Sequence, residues 1–153
     1  MRKCARLIVV LMLLFTASCA TRMQTKEGIA IDTYARLVHS FNIIGDTLKT
    51  MCIDGVIDST TCNNEIKPLH DKVADALDDA GYYLELMIQL DPVQIALCKP
   101  VIKVCKPDDA ECNDENVKAC AQLLKSAYEQ KISIAETGLQ QLRSYYVRYK
   151  MQK

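Results

Sequence analysis

Apolar residues recur along the chain at helical spacing, and short polar stretches separate the patterns. From about Ile31 they follow one another at steps of three and four residues, which is typical of one face of an amphipathic helix. The positions of this first stripe are Tyr34, Leu37, Val38, Phe41, Ile44, Leu48 and Met51. Asp54 and Gly55 end the pattern, because glycine readily adopts the left-handed conformation found after helix ends. We therefore predict a first helix from about Ile31 to this pair.

A second stripe predicts a second helix that ends at Asp91 and Pro92. Its apolar positions are Ile66, Leu69, Val73, Ala76, Leu77, Ala80, Leu84 and Met87. Pro68 has no backbone N–H, so it fits best in the first turn of a helix. The helix therefore begins near Asn64, or it begins earlier, with a cap from Asp58 or Ser59, and is kinked at Pro68.

The remaining pattern predicts a third segment and a long fourth helix. Residues 91–94 combine a capping aspartate, a proline at the first helical position and a glutamine three residues after the cap. Pro100 interrupts this segment and Pro107 ends it. Asn113 or Asp114 then caps the fourth helix. Its stripe is Val117, Cys120, Leu124, Ala127, Tyr128, Ala135, Leu139, Leu142, Tyr146 and Tyr149. The whole pattern predicts an all-α, up-down bundle of about four helices in two antiparallel hairpins.

The N-terminal stretch has a different pattern. Basic residues at positions 2, 3 and 6 precede the apolar run Leu7–Phe15, and small residues lead to Cys19. This order is typical of a secretory signal peptide. The apolar run is too short for a transmembrane helix, which needs about 20 residues.

Because a cysteine directly follows the small residues, residues 1–20 resemble the lipobox of bacterial lipoproteins. In that family the cysteine sulfur receives a diacylglyceryl group, and the signal is cut just before the cysteine. The resemblance implies that Cys19 is acylated and anchors the chain to membrane lipid, although Thr16 stands where the family prefers Leu. The alternative is an ordinary signal peptide or an uncleaved helix, in which Cys4 and Cys19 are unmodified thiols.

The resemblance also implies a domain organisation and a location. Residues 1–18 are the signal peptide, residues 19–30 are the lipidated cysteine and a tether, and residues 31–153 are a single helical domain. Ala20 follows the cysteine where Asp signals inner-membrane retention in many enteric bacteria. We therefore expect an extracytoplasmic protein, on the periplasmic side of the outer membrane if the source is Gram-negative.

Composition narrows the classes of function. The leader contains 3 of the 19 basic residues, which leaves 16 basic against 19 acidic residues. A mildly acidic body argues against a nucleic-acid-binding domain. The chain has no Trp and few other aromatic residues, so a sugar-binding platform is not expected.

Six cysteines follow Cys19, and an even number in an exported chain indicates disulfides. Zinc is the alternative, but no CxxC spacing occurs, and His39 and His70 lie far from the cysteine clusters. Facing residues of an antiparallel hairpin have position numbers with a nearly constant sum. The nested pairs Cys98–Cys120 and Cys105–Cys112 have sums of 218 and 217. The crossed pairs Cys98–Cys112 and Cys105–Cys120 have sums of 210 and 225, which no single register satisfies. A bond between Cys98 and Cys105 would need Cα atoms about 10 Å apart in a helix, although Pro100 weakens that objection. We predict Cys52–Cys62, Cys98–Cys120 and Cys105–Cys112.

No catalytic residue, metal site or cofactor is predicted. Residues 54–65 carry acids at the first, fifth and last places, as in an EF-hand loop, but Ser59 stands where that loop needs glycine. A disulfide-closed turn accounts for the stretch better. His39 and His70 have no Ser or Cys nucleophile at a recognisable spacing.

Two clusters are candidate contact surfaces. The acids of the 107–115 loop are candidates for partner binding, and the alternative is a solvated loop with capping acids: Asp108, Asp109, Glu111 and Asp114. The basic, aromatic C-terminus is a candidate for contact with a membrane surface, and the alternative is favourable placement of cations at the end of a helix dipole. Its residues are Arg143, Tyr146, Arg148, Tyr149 and Lys150. An even up-down array returns the C-terminus to the side of the tether, and it directs the 52–62 and 105–112 turns away from the membrane.

These observations favour a non-catalytic function. We expect a membrane-anchored lipoprotein that binds another envelope or surface protein, without nucleic acid or cofactors. One alternative is an exclusion or inhibitor lipoprotein encoded by a phage or mobile element. Another is a structural lipoprotein that tethers envelope layers.

Overall fold

The computed structural model describes residues 26–89, 98, 104–105 and 109–151. Within them the chain forms three long helices and no strand: α1 (Lys26–Ile53), α2 (Lys67–Ile88) and α3 (Ala110–Lys150). The all-α prediction is therefore confirmed for the described residues. The leader with Cys19, most of the third predicted segment and Asp108 lie outside them.

The predicted apolar stripes form the core. Phe41 and Leu48 of α1 are buried, and the other apolar positions of its stripe are half-buried. Six of the eight positions predicted for the second helix are buried: Ile66, Val73, Ala76, Leu77, Ala80 and Leu84. These side chains pack against α3, which contributes Leu142, Ala135 and Tyr128. The helical periodicity thus identified the buried faces correctly.

The approach to α2 shows how the chain accommodates Pro68. Asp58 caps a short helical turn, Ser59–Thr61, by accepting a hydrogen bond from the backbone N–H of Thr61 at 2.9 Å. A π-helical turn, Cys62–Ile66, then joins this turn to α2, and Pro68 lies in the first turn of α2. The prediction of a start near Asn64 was wrong, whereas the capping alternative at Asp58 is confirmed. Pro68 has no backbone N–H and cannot donate a hydrogen bond to the preceding turn. The chain therefore forms a π turn just before the proline.

The start of α3 differs from the prediction. Asp109 caps the helix by accepting a hydrogen bond from the backbone N–H of Cys112 at 3.0 Å, so the helix begins one turn before Asn113 and Asp114. Asp and Asn both cap well, so local preference could not choose among the three positions. Asn116, rather than Val117, faces the interior: it is 7% exposed against 37% for Val117.

The direction of α3 follows from three contacts along its C-terminal half and middle. Lys131 pairs with Asp79 at 2.6 Å, and the hydroxyl of Tyr145 donates to Glu65 at 2.5 Å, so α2 and α3 are antiparallel. Tyr128 donates to the carbonyl of Ala30 at 2.8 Å, and α1 runs parallel to α3 from that point. The C-terminal end of α3 therefore lies beside the 52–62 turn, opposite the start of α1.

This placement contradicts the expectation that the C-terminus returns to the side of the tether. Cys98 faces Cys120 and Cys105 faces Cys112, so the step from Cys98 to Cys105 is antiparallel to α3. Because α2 is also antiparallel to α3, Cys105 lies beyond Cys98 in the direction of α2. Helix α3 then starts beyond the first turn of α1 and returns along the whole molecule. Its 41 residues correspond to about 60 Å. The turns at 52–62 and 105–112 consequently lie at opposite ends, and the expectation that both point the same way was wrong.

Candidate binding surfaces

The structure has the three disulfides that the spacing predicts. The Cα–Cα distances are 6.0 Å for Cys52–Cys62, 5.5 Å for Cys98–Cys120 and 5.8 Å for Cys105–Cys112. The Cys52–Cys62 bond lies at one end of the molecule, and the other two bonds lie at the opposite end. We call the end with the 52–62 turn and the C-terminal part of α3 the tyrosine end, and the end with the start of α3 the acidic end.

The tyrosine end has a turn with little freedom. The backbone N–H groups of Val56 and Ile57 both donate to the carbonyl of Met51, at 2.9 and 3.2 Å. Gly55 has a φ of 69°, which favours glycine, and Ile57 is buried. Together with the Cys52–Cys62 bond, these contacts make the turn a rigid support for the side chains around it.

Aromatic and cationic side chains pair on this support. The guanidinium carbon of Arg148 lies 5.6 Å from the ring centroid of Tyr145. The hydrogen bond to Glu65 raises the pKa of the Tyr145 hydroxyl, because ionisation would break the bond and place two negative charges together. Lys150 donates to the hydroxyl of Tyr146 at 2.6 Å, and Tyr149 packs against the core. The C-terminal residues that the sequence singled out thus divide between two sides of α3: Arg148 lies beside Tyr145 on the side of α2, whereas Arg143 and Tyr146 line the groove between α1 and α3.

His70 lies in the wall of a cavity of about 400 Å³ between α1 and α2. Its ring centroid is 4.6 Å from that of Phe41, and its Nδ1 is 3.5 Å from a carboxylate oxygen of Asp71. His39 is exposed on α1. Both histidines are thus accounted for by packing and surface position.

Two of the three acids of the EF-hand-like stretch have other partners. Asp58 caps the short turn, and its hydrogen bonds with Thr61 lower the pKa of the carboxyl. Glu65 accepts from Tyr145. Among the described residues, no group of three or more His, Cys, Asp or Glu side chains is arranged to hold a metal ion.

At the acidic end, the predicted acids surround the first turn of α3. Asp109, Glu111 and Asp114 are all exposed, and Asp109 is engaged as the cap. Their position near the positive end of the helix dipole explains the cluster without a ligand. Beneath them, Asn116 donates to the sulfur of Cys105 at 3.1 Å.

A third surface was not anticipated from the sequence. Helices α1 and α3 are separated by an open groove of about 560 Å³ on the side away from α2. Its lining residues are Leu37, Ser40, Ile43, Ile44, Thr47, Glu136, Leu139, Gln140, Arg143 and Tyr146. Ile43 is 55% exposed. The exposed positions recur at the same spacing as the core stripe, so periodicity alone does not reveal that this side is partly apolar.

Tyr128 joins α1 and α3 at the end of this groove that lies nearer the start of α1. Its hydroxyl donates to the carbonyl of Ala30, and burial raises the pKa of the phenol. The neutral phenol therefore ties α3 to the first turns of α1.

No protein-family model, curated protein or solved structure matches this chain. Within the part of the chain that the structure describes, no helix combines the length and the apolar character needed to cross a membrane.

Proposed function

We propose that this chain is a lipid-anchored, non-catalytic protein of a bacterial envelope that binds an acidic surface of another envelope protein through its tyrosine end. The basic, apolar and small residues before Cys19 support the anchor. Within this proposal, the segment around Cys98 is a fourth helical element beside α3.

The observation that carries the binding site is the pairing of Tyr145 with Arg148 on the rigid tyrosine end. Tyrosine and arginine dominate the binding energy of many protein interfaces, because they combine large apolar area with directional polar groups. Ile53 and Met151 add exposed apolar area at this end, with 75% and 83% of their surface accessible.

Charge specifies the class of partner. No acidic residue follows Glu136 in the chain, whereas Arg143, Arg148, Lys150 and Lys153 do. The C-terminal part of α3, unlike the 52–62 turn with Asp54 and Asp58, is therefore basic. Such a stretch attracts an acidic protein surface and accelerates the encounter at low salt. Binding should therefore weaken as the salt concentration rises.

The anchor is tested by feeding cells labelled palmitate. We expect the label in the wild-type chain and in Cys4→Ala, which serves as the matched control, and no label in Cys19→Ala. An unlabelled wild-type chain, or a labelled Cys19→Ala variant, would contradict the lipoprotein assignment.

The binding site is tested with the full chain in detergent, used to capture protein from envelope extract. We expect Arg148→Glu to weaken binding of the purified captured protein about tenfold or more. Lys118→Glu, an exposed cation near the other end of α3, is the charge-matched control and should bind normally. If both variants bind like the wild type, the tyrosine end is not the site. If Arg148→Glu instead abolishes binding to anionic vesicles and no protein is captured, the surface is a membrane contact.

A further inference from the structure

Charged residues recur in a regular pattern on the side of α3 that faces the groove between α1 and α3. Along α3, Glu129, Glu136, Arg143 and Lys150 follow one another at intervals of seven residues. Seven residues are close to two helical turns, so the four side chains share one side of the helix. Glu136 and Arg143 line the groove, and neither forms an ion pair with any described residue.

Two acids followed by two bases are complementary to the same sequence read in the opposite direction. When a second α3 lies antiparallel, Glu136 faces Arg143 of the other copy, and Glu129 faces Lys150. A two-fold axis repeats each contact, because residues exchange roles between identical subunits. We propose that two copies of this chain associate through the groove, with their α1 and α3 helices antiparallel across a two-fold axis perpendicular to the helices.

The same axis relates the remaining lining residues. Residues 37 and 47 of α1 lie level with residues 136 and 146 of α3, an offset of 99. The axis therefore crosses α1 near Ser40, whose small side chain permits close approach. It places Leu37 against Ile44 of the other copy, and it covers Ile43.

The size of the surface suits a stable pair. The axis passes close to the middle of α1, so two α1 helices of 28 residues overlap along almost their whole length. A face about 40 Å long and two helices wide covers about 800 Å² per copy, which is the standard size of a specific interface.

The outer charged pairs require an exchange of partners. In the single chain Glu129 contacts Lys125 at 3.6 Å, and Lys150 contacts Tyr146. Exposed pairs of this kind contribute little free energy, so they do not oppose association. Arg148 and Tyr145 lie on another side of α3, so this part of the tyrosine end remains accessible in the pair.

The test compares sedimentation of full chains in a density-matched detergent. The wild type should dimerise, whereas Glu136→Arg and Arg143→Glu each place like charges across the axis and should weaken dimerisation about tenfold or more. A mixture of these two variants restores both opposite-charge pairs, so it should form a heterodimer with nearly wild-type affinity. Lys118→Glu lies outside the overlap and should dimerise normally.

Circular dichroism of each variant checks that the fold is intact. A wild-type chain that stays monomeric at all concentrations, or a mixture that does not associate, would overturn the proposal. Arg148→Glu should dimerise like the wild type, so loss of partner binding and loss of dimerisation are independent outcomes. If the groove instead binds an apolar peptide or another protein, mixing the Glu136→Arg and Arg143→Glu variants would not restore the association.

Discussion

The two ends of the molecule are held together by different means. At the tyrosine end all three helices meet, and a single disulfide closes a turn over buried Leu48, Ile57 and Leu142. At the acidic end α3 extends beyond the first turn of α1. The Cys98–Cys120 bond lies in a cluster whose described buried members are Cys98, Cys120 and Leu124, with half-buried neighbours from α2, and the Cys105–Cys112 bond is half-buried. Among the described residues, covalent bonds therefore have a larger part in holding the acidic end than in holding the tyrosine end.

Removal of the Cys98–Cys120 bond should give the largest loss of stability. The variant Cys98→Ala/Cys120→Ala should lose about 2–5 kcal/mol at the acidic end, because the bond is the centre of the small core there. Hydrogen exchange of the amides in 110–124 measures the loss. Cys52→Ala/Cys62→Ala is the matched variant, and we expect a smaller effect because packed side chains remain. Equal losses at the two ends would contradict the comparison.

Substitution of Gly138, which is tightly packed between α2 and α3, should give the next largest loss of stability. A Cβ atom at Gly138 would overlap Cγ2 of Val73, which is buried between α2 and α3. Gly138→Ala should therefore cost about 1–3 kcal/mol of unfolding free energy, although alanine favours the helix. Gly81→Ala is the control: its Cβ would lie 2.6 Å from the hydroxyl of Tyr34, the far end of a side chain that can move. Thermal unfolding should show a loss for Gly138→Ala and little change for Gly81→Ala.

The smallest effect concerns acid sensitivity at the tyrosine end. Hydrogen bonds with Thr61 lower the pKa of Asp58 in the folded chain. This contribution to stability is therefore present above the pKa of the unfolded chain, and it is lost as the pH falls through the folded pKa. Asp58→Asn keeps a good cap without the titratable group, so its unfolding free energy should fall less on acidification than that of the wild type. Identical acid dependence in denaturant titrations would contradict this account.

Sequence reasoning identified the buried stripes and the three cysteine pairs. Val73, Leu77 and Leu84 lie at the predicted buried positions because burial repeats with the helix period. It placed the start of α3 one turn late and missed Asn116, because a capping aspartate and a buried amide have no distinctive spacing. It also missed the groove, since the exposure of Ile43 depends on which helices become neighbours.

Residue spacing along the chain was enough to predict the three long helices, their apolar faces and the antiparallel relation of Cys98 and Cys105 to the start of α3. These features depend on contacts between residues whose spacing can be read along the chain. The tertiary structure alone decided that this segment continues in the direction of α2, so that α3 ends beside the 52–62 turn. The nested disulfide pairs are compatible with either direction relative to α2. Only the packing of α2 against α3, through Val73 and Gly138, and the long-range contact of Tyr145 with Glu65 select one of them.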